Sequence, residues 1–204
     1  MPRVPMWHAV QELARKDRVM AGLVRERAPC RLPSRPRWSH FAFLARSIAF
    51  QQLATAAAEK IHGRFEALMG GDVTADGVLL LRPGKMRASG LSENKVRSVI
   101  DLATRVRDGS VRLDGIARLD DASIVKRLVA VRGIGPWTAE MFLMFQLRRL
   151  DVWPVLDYGV RKGYQKLYGL EELPKPGELL PLGERFRPYR SVAAWYCWRA
   201  LEGE

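Results

Sequence analysis

The sequence predicts an all-α protein, and three observations carry that expectation. Apolar residues recur at helical spacing in most segments. No stretch alternates apolar with polar residues as a half-buried strand would. Ser, Asp, Pro and Gly stand where helices begin and end. Trp7 to Arg27 reads as one broken helix or two short ones, with the interruption at Asp17. Ala28 to Trp38 (APCRLPSRPRW) is dense in proline and arginine, which makes it a loop leading to Ser39, a good N-cap. His40 to Met69 is helical throughout, with a break expected near Gln51 and Gln52 and a C-terminal stop at Gly70 and Gly71. A short helix follows over Asp72 to Leu81, then a turn region from Arg82 to Gly90 built on Pro83, Gly84 and Gly90. Leu91 to Val106 is a helix capped by Ser92, with Val96, Val99, Ile100 and Ala103 on one face. Asp120 or Asp121 caps a helix ending near Val131, and Pro136 opens another that runs to about Leu147. The remaining elements are a helix over Tyr158 to Tyr168, a Pro/Gly loop from Leu173 to Gly177, and a terminal helix from about Ser191 to Leu201.

The 204 residues carry 34 Lys plus Arg against 22 Asp plus Glu, a formal charge of +12. Arginine supplies 26 of the 34 cations, and its planar fork suits phosphate, so a polyanionic partner is the first expectation. Two cysteines, Cys30 and Cys197, are too few for a four-cysteine iron–sulfur or zinc site, and they do not suggest a secreted disulfide framework. The longest apolar runs, such as Met141 to Phe145, fall far short of the roughly 20 residues needed to span a bilayer. No signal-peptide pattern opens the chain, because Arg3 and Pro5 lead into an amphipathic stretch. The expected setting is a reducing one, cytoplasmic and nucleoid-associated, or nuclear in a eukaryote, with no membrane partner.

VRGIGPWTAEMF, Val131 to Phe142, is the most informative stretch. Gly133-Ile134-Gly135 reads as a tight hairpin between two helices, its glycines permitting positive φ and Ile134 turning inward as a plug. Amides at the start of the second helix could then hold one phosphate, favoured by the helix dipole. A plain αα-hairpin with glycines for packing is the alternative reading of the same residues. Downstream comes DVWPVLDYGVRKGY, Asp151 to Tyr164, in which Asp157 stands at a helix entry after Pro154. Asp157 is either an ordinary N-cap or a carboxylate that stabilises positive charge on a deoxyribose whose base is leaving and orients the attacking water.

The hairpin VRGIGPWTAEMF, the downstream DVWPVLDYGVR, the upstream AFLARSIAFQQLATAAAEKI and the terminal RFRPYRSVAAWYCWRAL together resemble the helix-hairpin-helix DNA glycosylase superfamily, in its 3-methyladenine DNA glycosylase II branch. The likeness runs from about Leu13 to Leu201. It implies two helical lobes with the active-site cleft between them: a central lobe over about 40–149, with the hairpin at about 122–147, and a second lobe from 1–39 plus 150–204 that carries the catalytic aspartate. No trace of the N-terminal β domain of Escherichia-type members is found, so the expected form is compact.

Residue by residue, the resemblance makes Asp157 the catalytic aspartate. Trp137 falls where bifunctional relatives have the Schiff-base lysine, so base hydrolysis without strand cutting is implied. Trp137 and Trp198 match pocket aromatics suited to an electron-poor alkylated base, and Met141 lies at a pocket-lining position. Gln51 and Gln52 match the loop that enters the minor groove, with Gln52 filling the gap left by the flipped nucleotide. Gly133, Ile134, Gly135 and the amides around Trp137 and Thr138 would hold a phosphate. Carbonyls of the same hairpin, near Val131 and Gly133, often hold K⁺ or Na⁺ in the family. Arg161 and Lys162 are outer phosphate contacts or simply a solvated helix face. The family's usual Leu-Pro before the hairpin is Val131-Arg132 here, and Leu156 replaces the acidic or small residue often found beside the aspartate.

The resulting expectation is a monomeric, monofunctional DNA glycosylase that acts on double-stranded DNA with damaged bases and hydrolyses alkylated purines of the 3-methyladenine or 7-methylguanine type. It requires no cofactor, zinc or iron–sulfur cluster. Two alternatives stay open: a glycosylase for hypoxanthine, uracil or an oxidised purine, and a non-catalytic helix-hairpin-helix protein that binds DNA lesions.

Overall fold

The structure, a computed structural model, describes residues 4–27, 29–32 and 38–202. Most of the loop read over Ala28 to Trp38, and Arg3 before the first helix, lie outside these residues. The described residues contain α-helices, short 3₁₀ turns and one π-helical stretch, and no strand, so the chain is all-α. None of the helices is long and apolar enough to cross a membrane. The chain forms two compact units, residues 36–142 and residues 1–35 with 143–204. The sequence expectation had put these edges at 40 and 149. The chain leaves the first unit inside a π-helical stretch, Phe142–Gln146, whose first residue still packs edge-on against His40 and Phe43.

In the continuous unit, α3 (His40–Phe50) begins at Ser39, whose hydroxyl accepts from the Ala42 amide at 3.1 Å. After a four-residue break comes α4 (Thr55–Ala67), which Gly70 and Gly71 close at φ of +67° and +94°. The region read as a turn from Arg82 to Gly90 instead contains α6 (Pro83–Ala88), after α5 (Ala75–Leu80). Pro83 there is the first helical residue, not a breaker, and Met86 anchors the short helix in the core. The long α7 (Glu93–Arg107) buries Val96, Val99, Leu102 and Ala103 against α3 and α5. Asp120 caps α8 (Asp121–Leu128) through the Ser123 amide at 2.8 Å, and α9 (Pro136–Met141) follows the hairpin turn. The helix expected to run on to Leu147 changes to π geometry at Phe142, a distortion that recurs at functional sites. Leu44, Ile48, Phe65, Leu102, Ile124 and Leu128 form the core, each worth about 1.5–3 kcal/mol on burial.

In the split unit, Asp17 is the point of interruption: it ends α1 (Met6–Lys16) and caps α2 (Arg18–Glu26), accepting from the Met20 amide at 3.0 Å. α10 (Tyr158–Tyr168) ends at Gly169 in the left-handed region, and α12 (Arg190–Arg199) packs along it. Between them lies α11 (Pro176–Leu182), whose first two residues the sequence reading placed in a Pro/Gly loop ending at Gly177 and whose remainder it assigned to no element. Pro176 again occupies a first-turn position, and Leu179 is buried. The segment leading to α10 is fixed from several sides. Val152 donates its amide to Ser191 Oγ at 2.9 Å, Trp153 Nε1 donates to the Leu179 carbonyl at 2.9 Å, and Arg190 Nε reaches Asp151 Oδ1 at 2.7 Å.

Candidate active site and DNA-binding hairpin

The hairpin is set by its backbone before any side chain acts. After α8, the Val131 amide donates to the Leu128 carbonyl and the Ile134 amide to the Val131 carbonyl, which turns the chain tightly. Gly133 sits at φ +77°, and a Cβ there would lie 2.6 Å from Ser98 Oγ, so both conformation and space demand glycine. Gly135 differs: its φ is −93° and a Cβ would meet nothing, so the turn needs one left-handed glycine, not two. Ile134, 4% exposed, is the inward plug. It supports the turn from inside, so only its backbone can face a ligand. Pro136 then starts α9, leaving Trp137 41% exposed and Thr138 buried.

Most of the residues singled out from this half of the sequence come together here. A surface cavity of about 1010 Å³ is lined by Gln51, Gln52, Gly133, Trp137, Thr138 and Met141. Three cations, Arg46, Lys95 and Arg132, also line it, and among the described residues no carboxylate does. A cavity of one sign raises the local concentration of anions and suits a phosphodiester. These cations were not singled out as contacts, because they sit on three separate elements and only the fold gathers them. Lys95 donates to the Ala49 carbonyl at 2.9 Å, a cation at the C-terminal end of α3, and burial lowers its pKa.

The loop between α3 and α4 carries Gln51 and Gln52. Gln52 is exposed and holds φ +56°, a left-handed conformation that a non-glycine residue adopts only at a cost. Gln51 turns the other way. Its Nε2 donates to the Gly133 carbonyl at 2.8 Å and lies 3.5 Å from Thr138 Oγ1. This bears on the cation that the resemblance implies at Val131 and Gly133. The Gly133 carbonyl accepts from Gln51 Nε2 and the Val131 carbonyl from the Ile134 amide, one hydrogen bond each, so each oxygen keeps a second lone pair that a cation could use. Among the described residues no three of His, Cys, Asp and Glu are arranged to hold a metal ion.

Asp157 lies in the split unit. It is the N-cap of α10, its Oδ1 accepting from the Val160 amide at 2.8 Å, so the ordinary reading of this aspartate holds. The same oxygen also accepts from Trp198 Nε1 at 2.9 Å, a bond that capping does not require. Trp198, stacked on Phe145 with ring centroids 5.8 Å apart, is thus a partner of the carboxylate itself. The pair meets because α10 has glycine where α12 crosses it. A Cβ on Gly159 would lie 2.8 Å from Trp198 Cδ1, and one on Gly163 would lie 2.0 Å from the Cys197 carbonyl oxygen. Burial, and then the nearby Asp157 charge, push the Cys197 thiol well above its usual range. Leu156 and Tyr158, on either side of Asp157, are both exposed. Arg161 gives its Nε to the Pro174 carbonyl at 2.7 Å, bracing the loop before α11, and Lys162 pairs with Gln165.

Comparison with known proteins gives the chain a family. Residues 45–188 match the model of the HhH-GPD superfamily of base excision DNA repair proteins. The chain is 36% identical over 159 residues to DNA-3-methyladenine glycosylase 1 of Schizosaccharomyces pombe, covering 76% of this chain and 70% of that protein. Among solved structures, a 3-methyladenine DNA glycosylase of the same yeast in complex with abasic DNA superposes with a TM-score of 0.83 at 32% identity, covering 94% of this chain and 95% of the other. A DNA-3-methyladenine glycosidase from Bacillus halodurans gives 0.84 at 32% identity, covering 94% and 88%. The chain therefore belongs to the HhH-GPD superfamily of base excision DNA repair proteins, in its 3-methyladenine DNA glycosylase II branch.

Proposed function

We propose that the protein is a monofunctional DNA glycosylase that removes alkylated purines, 3-methyladenine first among them, from double-stranded DNA and leaves an abasic site. The observation that carries this reading is the Asp157 carboxylate, which stands at a helix entry in a glycosylase-superfamily chain and is held by an indole N–H beyond its capping bond. A carboxylate so fixed can stabilise the positive charge that grows on the deoxyribose as the C1′–N bond breaks. Water then adds to C1′ and loses a proton, while a cationic alkylpurine leaves as the neutral base. Such a base is already a good leaving group, so modest assistance suffices. Trp137 takes the place of the lysine with which bifunctional relatives attack the sugar, and an indole cannot form that covalent bond. Its half-exposed ring suits stacking on an electron-poor base. In this reading the hairpin amides take a phosphate, the cations around the cavity draw in duplex DNA, and Gln52 fills the space of the flipped nucleotide. The protein acts as a monomer.

The test is base release from duplexes that each carry one defined lesion, scored with and without alkaline cleavage. Asp157→Asn keeps an oxygen for both donors and removes the charge. It is expected to slow release by roughly 10²–10³-fold while binding persists. Release at near the wild-type rate would sink the assignment of Asp157. Strand cutting without alkali would refute the monofunctional reading, and preference for hypoxanthine, uracil or an oxidised purine would move the substrate.

A further inference from the structure

We propose that Gln51 is a positioning residue: its side chain ties the 51–54 loop to the hairpin, so that the loop which wedges DNA and the turn which holds phosphate move as one piece. This rests on the glycosylase reading above only in supposing that Gln52 enters the duplex. Gln51 was expected to touch DNA beside Gln52, but the two neighbours do different things. Gln52 projects into solvent, whereas Gln51 spends its amide on the Gly133 carbonyl at 2.8 Å, 82 residues further along the chain. A carbonyl can only accept, so the amide nitrogen must face it, and Oε1 in its place would be repelled. The start of the loop is pinned at two further points. The Gln51 amide closes the last turn of α3 on Ile48, and Lys95 from α7 holds the Ala49 carbonyl at 2.9 Å. On the hairpin side, Gly133 is pressed against Ser98, also on α7, so its carbonyl is a fixed anchor point. The left-handed Gln52 therefore leaves a rigid base, and its direction is set by the residue before it. Since a displacement of about 1 Å can cost a hundredfold in an oriented site, one tether of this kind is enough to matter.

The coupling can be read in binding, apart from catalysis. Affinities for a duplex with a stable tetrahydrofuran abasic analogue are measured at one salt concentration for wild type, Gln51→Met, Gln52→Ala and the double variant. Gln51→Met keeps the length of the side chain and removes the donor. It should weaken binding by about five- to tenfold, the worth of one lost hydrogen bond. In the Gln52→Ala background the same change should cost less than about twofold, because the residue it positions is gone. Gln51→Asn retains an amide but is one methylene too short, and should behave like Met, not like wild type. Additive losses, or an Asn variant that binds as wild type does, would overturn the proposal and leave the glycosylase reading untouched. A wild type that binds the abasic duplex yet releases no base would do the reverse.

Discussion

The closest test of how the fold sets Asp157 is Gly159→Ala, a single methyl placed between α10 and α12. The new Cβ would stand 2.8 Å from Trp198 Cδ1, and 3.1 Å from both Trp198 Nε1 and Asp157 Oδ1. Ordinary contact begins at 3.4 Å, so the indole must retreat by about 0.6 Å, with Phe145 stacked on it and limiting escape. The 2.9 Å bond from Nε1 to Oδ1 would then stretch towards about 3.5 Å, the edge of hydrogen-bonding range. Losing a hydrogen bond to a charged group costs about 1.5–3 kcal/mol, and replacing a helical glycine by alanine returns about 0.5–1 kcal/mol. The net loss of about 0.5–2.5 kcal/mol should lower Tm by only about 1–10 °C in a chain of this size. In the proposed reaction base release depends on where the carboxylate points, and a barrier raised by the full bond energy would slow single-turnover release by about 10–150-fold. The assay is release from an alkylated duplex under enzyme excess, beside a thermal melt. Gly163→Ala is the contrast. Its Cβ meets the Cys197 backbone at 2.0 Å and forces the helices apart, so Tm should fall further than with Gly159→Ala. Release within twofold of wild type in a folded Gly159→Ala protein would refute the claim that the indole orients the carboxylate.

Gly133→Ala should destabilise the protein by at least about 1–2 kcal/mol through its left-handed φ alone, and should weaken abasic-duplex binding; a melt and a titration check both. His62 is 6% exposed, among Phe50 and Phe65, and its Nε2 has no hydrogen-bond partner among the described residues; burial lowers its pKa. Below about pH 6.5 the unfolded chain takes up a proton that the folded chain resists, so stability falls as pH drops from there towards the folded pKa. His62→Phe should flatten that part of the Tm–pH curve, and an unchanged slope would show that other groups cause it. Both cysteines are buried and unpaired, and burial pushes the Cys30 thiol up to about 12. Neither should react with maleimide at pH 7.5 until the protein is unfolded, which mass spectrometry can score.

What the sequence reveals here is what is local. Ser39, Asp120 and Asp157 announce helix starts because a cap is decided within three residues, and all three cap as expected; Asp17, read only as an interruption, turns out to cap α2 as well. The short helices α6 and α11 escaped because Pro83 and Pro176 look like loop signals. Only the later structure shows them in first turns with Met86 and Leu179 held in the core. Two glycines in the hairpin look equivalent in the sequence, yet only Gly133 is left-handed, and only at Gly133 is the space for a Cβ closed, by Ser98 thirty-five residues upstream. The pairing of Trp198 with Asp157 and of Gln51 with Gly133 spans 41 and 82 residues, and no periodicity or spacing rule reaches that far. The partners of these motif residues come from the packing of α10 on α12 and of α3 on α7, which the motif does not encode.

The left-handed backbone of Gln52 has a consequence for how this protein could be improved or spoiled. Holding a non-glycine residue in that region costs about 1–2 kcal/mol, a sizeable part of the margin by which a small protein stays folded. Glycine at this position would relieve that strain. A selection for heat resistance alone would therefore favour Gln52→Gly and discard the side chain proposed above to fill the space of the flipped nucleotide. On that proposal the sturdier variant would be the poorer repair protein, and a screen for thermostable forms would need a DNA-damage readout to keep it out.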